Sequence, residues 1–238
     1  MLGLGISLVR GGFSLLTYIK DGLKLFMPYK KGDGALQFVG TGSTSFDGSN
    51  DYVSVPTSSD WLIGSSDYTV GLWVKSTDSQ GELISAFNSG GPYHGWLFGI
   101  GFGSADGKLY FYQANADDSE TKVSTNTVNN GSWRYVSFTK SGTSLKFYID
   151  AVLDSTHTLS YVSTNSGQAI LFGQDNNISP ARRLLGSLKN IAIWNRALTA
   201  TEVQNVMYKT YYEVSGRLAS GLVSWWSLET SSTDNPAG

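Results

Sequence analysis

From about residue 46 onward, short runs of alternating hydrophobic and polar residues follow one another along the chain. The clearest run covers residues 68–75, where Tyr68, Val70, Leu72 and Val74 would share one face of a strand. Six further runs have a similar pattern: residues 82–87, 96–102, 108–113, 133–139, 144–150 and 169–173. Short strands at this spacing predict an all-β fold with antiparallel sheets, either a sandwich or a barrel.

Turn-forming residues separate these runs, as hairpin connections require. They occur at residues 90–92 (Gly-Gly-Pro), 106–107 (Asp-Gly), 129–131 (Asn-Asn-Gly) and 141–142 (Ser-Gly). Glycine and asparagine tolerate the backbone angles of tight turns, and aspartate caps them through its carboxylate. The short connections leave no room for the crossover helices of a parallel sheet.

One helix is predicted, near the C-terminus. Residues 199–202 read Thr-Ala-Thr-Glu, a capping box in which the side chains of Thr199 and Glu202 satisfy the free amides of a helix start. Val203, Val206 and Met207 then follow at helical spacing and form an apolar stripe. The sequence therefore predicts a short helix packed on a β domain.

The two ends of the chain differ from the middle. Residues 1–20 are apolar and rich in glycine, and they form either a strand pair of the sandwich or an arm that docks on another subunit. Residues 221–228 resemble a strand and echo residues 22–26. They are either a closing strand or the start of a second, similar domain that begins at about residue 217. We therefore divide the chain into an arm (1–20), a main β domain (21–213) and a C-terminal segment (214–238).

Composition excludes several classes of protein. The chain has no cysteine, which excludes disulfides, thiolate zinc sites and thiol chemistry. Its net charge is −2, without the basic surplus of a nucleic-acid-binding protein. No apolar stretch reaches the roughly 18 residues of a membrane span. The N-terminus also lacks the basic start of a secretory signal, so we expect synthesis in a cytoplasm.

A catalytic site is not predicted. Glycosidases need two carboxylates on either side of the scissile bond, whereas the five glutamates are far apart in sequence: Glu82, Glu120, Glu202, Glu213 and Glu229. Residues 117–120 resemble a solvated acidic loop. His157 has Asp154 and Ser155 beside it, but three neighbours in one loop cannot easily form a triad. The sequence thus predicts a protein that is not an enzyme.

Five blocks of sequence resemble the laminin-G-like, concanavalin-A-like lectin family, including its pentraxin-type members. They are residues 45–53, 68–74, 133–138, 145–150 and 186–199, the last together with Glu202. The resemblance covers roughly residues 21–212 and keeps the family's block order. It implies an antiparallel two-sheet jelly-roll sandwich with one short C-terminal helix.

The resemblance also implies a calcium site. Pentraxin-type domains bind calcium at one rim, and the matching positions here are Asn50, Asp51, Asp175, Asn176 and Asn177. Asn176 would contribute a carbonyl and the others side-chain oxygens, which are the ligands that calcium prefers. Many relatives carry an acidic pair before the final strand, where this chain has Lys189 and Asn190. The alternative interpretation is that residues 47–51 only form a turn.

Aromatic residues near predicted loops are candidates for ligand or partner contact. They are Trp61, Tyr93 and Trp96, with His94 between the last two. Aromatic rings stack on sugars and anchor protein interfaces. The strand-borne Trp73, Trp133 and Trp194 are instead expected in the core.

Together these observations predict a non-catalytic structural or attachment module of a virus particle, such as a bacteriophage capsid decoration, fibre or tail component. The N-terminal start resembles those of phage virion proteins. Expected partners are other virion proteins, further copies of the chain in a homo-oligomer, and a host-surface glycan. The expected location is the virion, after synthesis in the host cytoplasm. The alternative is a calcium-dependent, carbohydrate-binding lectin-like domain of a bacterial surface protein, located outside the cell.

Overall fold

The computed structural model describes residues 42–58, 61, 63–88, 91–104, 106–164, 167, 169–175 and 182–228. Several predictions fall on other parts of the chain. They are the arm at residues 1–20, the strand-like residues 22–26 and the two calcium ligands Asn176 and Asn177.

The described residues form thirteen β-strands and one α-helix. The strands are β1 (Thr44–Asp47), β2 (Val53–Val55), β3 (Tyr68–Ser76), β4 (Gly81–Asn88), β5 (His94–Ile100), β6 (Lys108–Asn115), β7 (Ser119–Thr127), β8 (Arg134–Ser141), β9 (Ser144–Ile149), β10 (Val152–Thr158), β11 (Ile170–Phe172), β12 (Leu185–Trp194) and β13 (Leu222–Trp226). The helix is α1 (Ala200–Val206), and two short 3₁₀ helices follow at Tyr211–Glu213 and Gly216–Leu218.

The strands form two antiparallel sheets, which confirms the predicted jelly-roll sandwich. The seven-stranded sheet has the order β1-β12-β3-β8-β9-β10, with β13 also paired to β12. The six-stranded sheet has the order β2-β11-β4-β5-β6-β7. Strands that are distant in sequence, such as β3 and β12, therefore become neighbours.

The main core lies between the two sheets. The predicted inward face of β3 is confirmed, because Tyr68, Val70, Leu72 and Val74 are all buried there. Aromatic rings from both sheets meet in this layer, where the ring centroid of Phe138 lies 5.1 Å from Phe98 and 4.9 Å from Phe111. Such tilted and edge-on contacts are the favoured geometries of aromatic pairs.

A second apolar cluster covers the outer face of the seven-stranded sheet. Trp73 and Trp194 project outward there and pack against Val203 and Val206 of α1. The predicted capping box is confirmed, since the amide of Glu202 donates to Thr199 Oγ1 at 3.3 Å and the amide of Thr199 donates to Glu202 Oε2 at 2.8 Å. The helix is thus fixed at its start by local hydrogen bonds and along its length by apolar packing.

Two strands were missed by the sequence analysis. The structure places residues 119–127 in β7 and residues 152–158 in β10, so the interpretation of Glu120 and of His157 as loop residues was wrong. Both strands are largely polar, because they lie at sheet edges and bury few side chains. The carboxylate of Asp154 accepts hydrogen bonds from the amides of Thr125 and Asn126, which ties β10 to β7.

The C-terminal segment contributes a strand to the same sandwich. β13 pairs with β12, with Ile191 opposite Trp226, and the Trp226 ring lies 5.2 Å from Phe172 in the core. Residues 222–226 therefore belong to the seven-stranded sheet. No helix among the described residues combines the length and hydropathy of a membrane span.

Candidate functional site

The outer faces of the two sheets differ in what covers them. The helix α1 packs on the seven-stranded sheet. Within the described part of the chain, no α-helix packs on the outer face of the six-stranded sheet. Instead, Phe87, Leu97, Tyr110 and Ala114 form a small apolar cluster there, with Phe102 and Tyr112 packed against it. This aromatic face is the candidate functional site.

Four rings form a continuous row across this face, which we call the aromatic ladder. Tyr93 stacks on Phe87 with ring centroids 5.8 Å apart and an interplanar angle of 15°. Phe87 meets Tyr112 edge-on at 5.3 Å, and Tyr112 stacks on Phe102 at 5.2 Å and 22°. The ladder crosses strands β4 and β6 and ends in a loop on each side.

The ladder is partly open to solvent. Tyr93 is 50% exposed, Tyr112 and Phe102 are half-buried, and Phe87 is buried beneath its neighbours. Close approach of one supporting ring depends on Gly99, because a Cβ at that position would lie 2.7 Å from the ring of Tyr110. Tyr110 in turn lies 5.0 Å from Phe102, so the missing side chain lets a second layer of rings support the ladder.

Charged groups gather at the Phe102 end of the ladder. The guanidinium of Arg182 lies 4.7 Å from the centroid of the Phe102 ring. Arg182 Nη1 is 3.7 Å from Glu82 Oε1 and 3.5 Å from Asp175 Oδ2. The hydroxyl of Tyr110 donates a short hydrogen bond to Glu82 Oε1. We call Glu82, Tyr110, Asp175 and Arg182 the acid–arginine cluster.

The position of Glu82 follows from an irregularity in β4. The register against β5 shifts between Glu82 and Ile84, so both Leu83 and Ile84 face the core and Glu82 faces outward. Asp175 reaches the same place because β11 pairs with β4, with Phe172 opposite Ile84. Two carboxylates that are 93 positions apart in the chain thereby meet at one arginine.

The cluster changes the acidity of its members. The pKa of Glu82 is raised to about 8, mainly by burial and also by the nearby Asp175 carboxylate, although the hydrogen bond from Tyr110 and the charge of Arg182 act in the opposite direction. Burial and the neighbouring Glu82 also raise the pKa of Tyr110 well above its ordinary value. At pH 7 Glu82 is therefore protonated in most molecules, and Arg182 is balanced mainly by Asp175.

The four residues predicted for ligand or partner contact lie in two different environments. Tyr93 is part of the ladder, and His94 is half-buried beside it, with Nδ1 in a short hydrogen bond to the hydroxyl of Thr164. Trp61 and Trp96 are instead 8% and 2% exposed and belong to the core, so the expectation that they are available for contact was wrong. Strand β5 begins at His94, which places Trp96 inside the strand on its inward face.

Three of the predicted calcium residues, Asn50, Asp51 and Asp175, lie at one end of the sandwich. The pairing of Val53 with Phe172 brings residues 50–51 and residue 175 to that end. Asn50 and Asp51 belong to a turn, in which Asp47 Oδ1 accepts the amide of Asn50 at 3.3 Å and Asp51 Oδ2 accepts the amide of Asp47 at 3.0 Å. These contacts agree with the alternative turn interpretation.

The described side chains fit a calcium ion poorly. Asp175 is buried beside the cation of Arg182, which competes with a metal for its carboxylate. No group of three or more histidine, cysteine, aspartate or glutamate side chains able to hold a metal occurs in the described ranges. Calcium binding stays a prediction of the sequence.

The sequence analysis missed the acid–arginine cluster. It treated Glu82 as an isolated glutamate and gave Arg182 no role. One signal was present in the sequence, because Glu82 is the one charged residue in the apolar run of residues 81–87. A charge within a buried strand needs a partner, but the pattern does not say which residue supplies it.

Comparisons with known proteins agree with the fold. The family described as "Concanavalin A-like lectin/glucanases superfamily" matches residues 47–204. A candidate carbohydrate-binding protein from Bacteroides ovatus superposes with a TM-score of 0.63 at 14% identity, covering 81% of this chain and 52% of that one. The binding domain of Paraclostridial mosquitocidal protein 1 gives 0.55 at 17% identity, covering 71% of this chain and 46% of that one.

A third similar structure is a heptameric SAP-like pentraxin from Limulus polyphemus. Its TM-score is 0.53 at 18% identity, and the match covers 78% of this chain and 91% of the pentraxin. No curated protein matches the sequence. The chain spans about half the length of the first two structures, with 46% and 52% of them covered.

The raised pKa of Glu82 predicts a pH dependence of stability. In the unfolded chain this carboxyl ionises near its ordinary pKa of 4.5, whereas in the folded protein it keeps its proton up to about pH 8. The free energy of unfolding should therefore fall as the pH rises from about 5 to 8. Glu82→Gln should remove this part of the decline, as measured by urea denaturation across that pH range.

Glu120→Gln is the matched control. Glu120 also has a largely buried carboxylate, but hydrogen bonds from Tyr161, Gln113 and Ser160 lower its pKa, so its titration lies below the tested window. Its substitution should shift the free energy of unfolding by the same amount at pH 5 and at pH 8. If the free energy of unfolding of Glu82→Gln fell between pH 5 and pH 8 as steeply as that of the unmodified protein, the raised pKa assigned to Glu82 would be contradicted.

Proposed function

The chain belongs to the concanavalin A-like lectin/glucanases superfamily, and from this premise we propose that it is a non-catalytic domain that binds carbohydrate on its aromatic ladder. The observation that carries this proposal is the row of four rings on the outer face of the six-stranded sheet.

The chemistry of the ladder suits a sugar chain. Pyranose rings have faces of C–H groups that pack on aromatic rings, whose faces carry partial negative charge. Adjacent rings of the ladder have centroids 5.2 to 5.8 Å apart, close to the length of one sugar unit. Tyr93 and Tyr112 also carry hydroxyl groups that can hydrogen-bond to sugar hydroxyls. The three rings of the ladder that reach solvent, Tyr93, Tyr112 and Phe102, can therefore contact a sugar chain.

The names of similar structures support a binding role. The Bacteroides ovatus protein is a candidate carbohydrate-binding protein, and the mosquitocidal structure is a binding domain. Both names describe those proteins, and at 14% and 17% identity the superpositions on this chain show the shared fold alone. They favour recognition over chemistry as the function of this sandwich.

The geometry of the two clustered carboxylates favours a non-catalytic role. Glu82 has no exposed surface and Asp175 is buried with it, both beneath or beside Arg182. A glycosidase needs one carboxyl group on each side of the scissile bond, in contact with the substrate. A buried pair that shares one arginine does not meet this requirement, so these carboxylates support the fold of the face.

Alanine substitutions at the two ends of the ladder test the proposal. Tyr93→Ala and Phe102→Ala should each weaken binding to a glycan identified on an array by about tenfold, equivalent to about 1.4 kcal/mol, because each removes one stacking ring. Isothermal titration calorimetry with that glycan measures the change.

Tyr212→Ala is the matched control, because Tyr212 is 93% exposed and follows α1, away from the ladder. The Tyr212→Ala variant should bind the glycan with the same affinity as the unmodified chain. Equal losses in Tyr212→Ala and Tyr93→Ala, or the absence of any bound glycan on the array, would count against the ladder as the site.

Calcium dependence is a separate part of the proposal. The sequence assigns Asn50, Asp51 and Asp175 to a calcium site together with two residues outside the described ranges. If these residues bind the metal, calorimetry should show heat with millimolar calcium, and Asp51→Asn should reduce it. Absence of heat at millimolar calcium would remove calcium from the function, and glycan binding should then be unchanged by a chelator.

A narrower proposal concerns the biological setting. We propose that the domain displays its ladder on a bacteriophage particle, as an attachment module present in many copies. The apolar, glycine-rich residues 1–20 support this as a docking segment of the sequence. The alternative setting is a bacterial surface protein outside the cell.

Antibodies against the chain distinguish these settings. Immunogold labelling of purified particles should show several labels per particle if the chain is a virion component. Labelling of bacterial cells without particles would favour the surface-protein alternative and contradict the virion proposal.

A further inference from the structure

We propose that the aromatic ladder selects uncharged glycans, and that Arg182 is a positioning residue for Phe102 instead of a receptor for an acidic sugar. This inference rests on the proposed function, because it concerns the ligand of the same face. It assigns a ligand class to the ladder and a role to the acid–arginine cluster.

The cation at the end of the ladder is already engaged by the protein. Arg182 lies 3.5 Å from Asp175 and 3.7 Å from Glu82, and its side chain is only 30% exposed. An acidic sugar that bound Arg182 would place its own carboxylate next to two carboxyl groups of the protein. Like charges brought together in this way oppose binding. An exposed arginine without acidic neighbours would instead favour an acidic ligand.

The acid–arginine cluster has no net positive charge, whether Glu82 is protonated or ionised. With Glu82 protonated, Arg182 and Asp175 neutralise each other. With Glu82 ionised, the cluster carries a net negative charge. Neither state offers the surplus positive charge that attracts a uronic or sialic acid.

A lysine at the start of β6 also has an acidic group near it. Lys108 begins β6, and its amide donates to the carboxylate of Asp106 at 3.1 Å. This hydrogen bond holds a negative charge next to the backbone of Lys108. The Phe102 end of the face therefore contains acidic as well as basic groups.

The Tyr93 end of the ladder is acidic. The amide of Ala116 donates to the carbonyl of Tyr93 at 2.6 Å, which joins the turn after β6 to the Tyr93 loop. Asp117 and Asp118 follow in that turn and are exposed. Both ends of the ladder thus disfavour an anionic chain, while neutral sugars meet rings and hydroxyl groups.

Arg182 has a clear structural role in this arrangement. Its guanidinium lies over Phe102, whose ring also stacks on Tyr112. The two acidic partners hold the guanidinium in place, and the planar group holds the ring of a loop residue in line with the ladder. A lysine at this position would keep the charge but lose the planar contact.

Affinity electrophoresis of the full chain tests the ligand class. Gels contain either neutral polysaccharides (a β-glucan, a galactomannan) or polyuronates (polygalacturonate, alginate), at two salt concentrations. We expect retardation by a neutral polysaccharide with an affinity at least about tenfold above that for any polyuronate. Preferential binding of a polyuronate would overturn this inference and leave the proposed function standing, whereas absence of binding to all of them and to a glycan array would overturn both.

Arg182→Lys tests the positioning role. It should weaken binding of the neutral polysaccharide by about tenfold, because the planar contact with Phe102 is lost. Arg134→Lys is the matched control, since Arg134 is 26% exposed in an ion pair with Asp150 on the other sheet and should leave binding unchanged. If a folded Arg182→Lys protein binds the neutral polysaccharide as tightly as the unmodified chain does, Arg182 does not position Phe102. If circular dichroism shows that this variant is unfolded, the comparison of neutral polysaccharides with polyuronates on the unmodified chain tests the inference instead.

Discussion

Aromatic packing between the two sheets fixes the arrangement of the molecule. Phe138 of the seven-stranded sheet contacts three rings of the other sheet, with centroids 4.9 Å from Phe111, 5.1 Å from Phe98 and 6.0 Å from Trp96. Side chains alternate along a strand, so these inward rings force Leu97 and Tyr112 to the outer face. The ladder is therefore a consequence of the core register, because a shift of one residue would exchange the two sets.

The outer faces of the two sheets are covered by different elements. On the seven-stranded sheet, α1 and the tryptophans Trp73 and Trp194 form a second apolar layer. On the six-stranded sheet, rings from the strands and their loops lie against the sheet, and the described chain adds no α-helix. Such a face of partly exposed aromatic residues resembles an interaction surface more than a structural layer. At the Phe102 end of this face, the buried carboxyl group of Glu82 is stabilised by contacts with Tyr110 and Arg182.

Polar side chains also close the open edges of the sandwich. Glu120 of β7 accepts hydrogen bonds from the amides of Ser160 and Tyr161, and Asp154 of β10 binds the β7 backbone. These contacts satisfy edge groups that could otherwise pair with another chain. They explain why two strands with few buried side chains are stable, and why hydrophobic patterning did not reveal them.

The sequence by itself determined the class of fold, most strands, the capped helix and the exposure of Tyr93 in a loop. These features are local, because alternation, turn chemistry and the Thr199–Glu202 box depend on residues close together in the chain. Only the tertiary structure decided that Trp96 is buried and that Glu82, Asp175 and Arg182 meet. Their meeting depends on which strands are neighbours and on a register shift in β4, and such long-range pairings are not encoded in the pattern of any single segment.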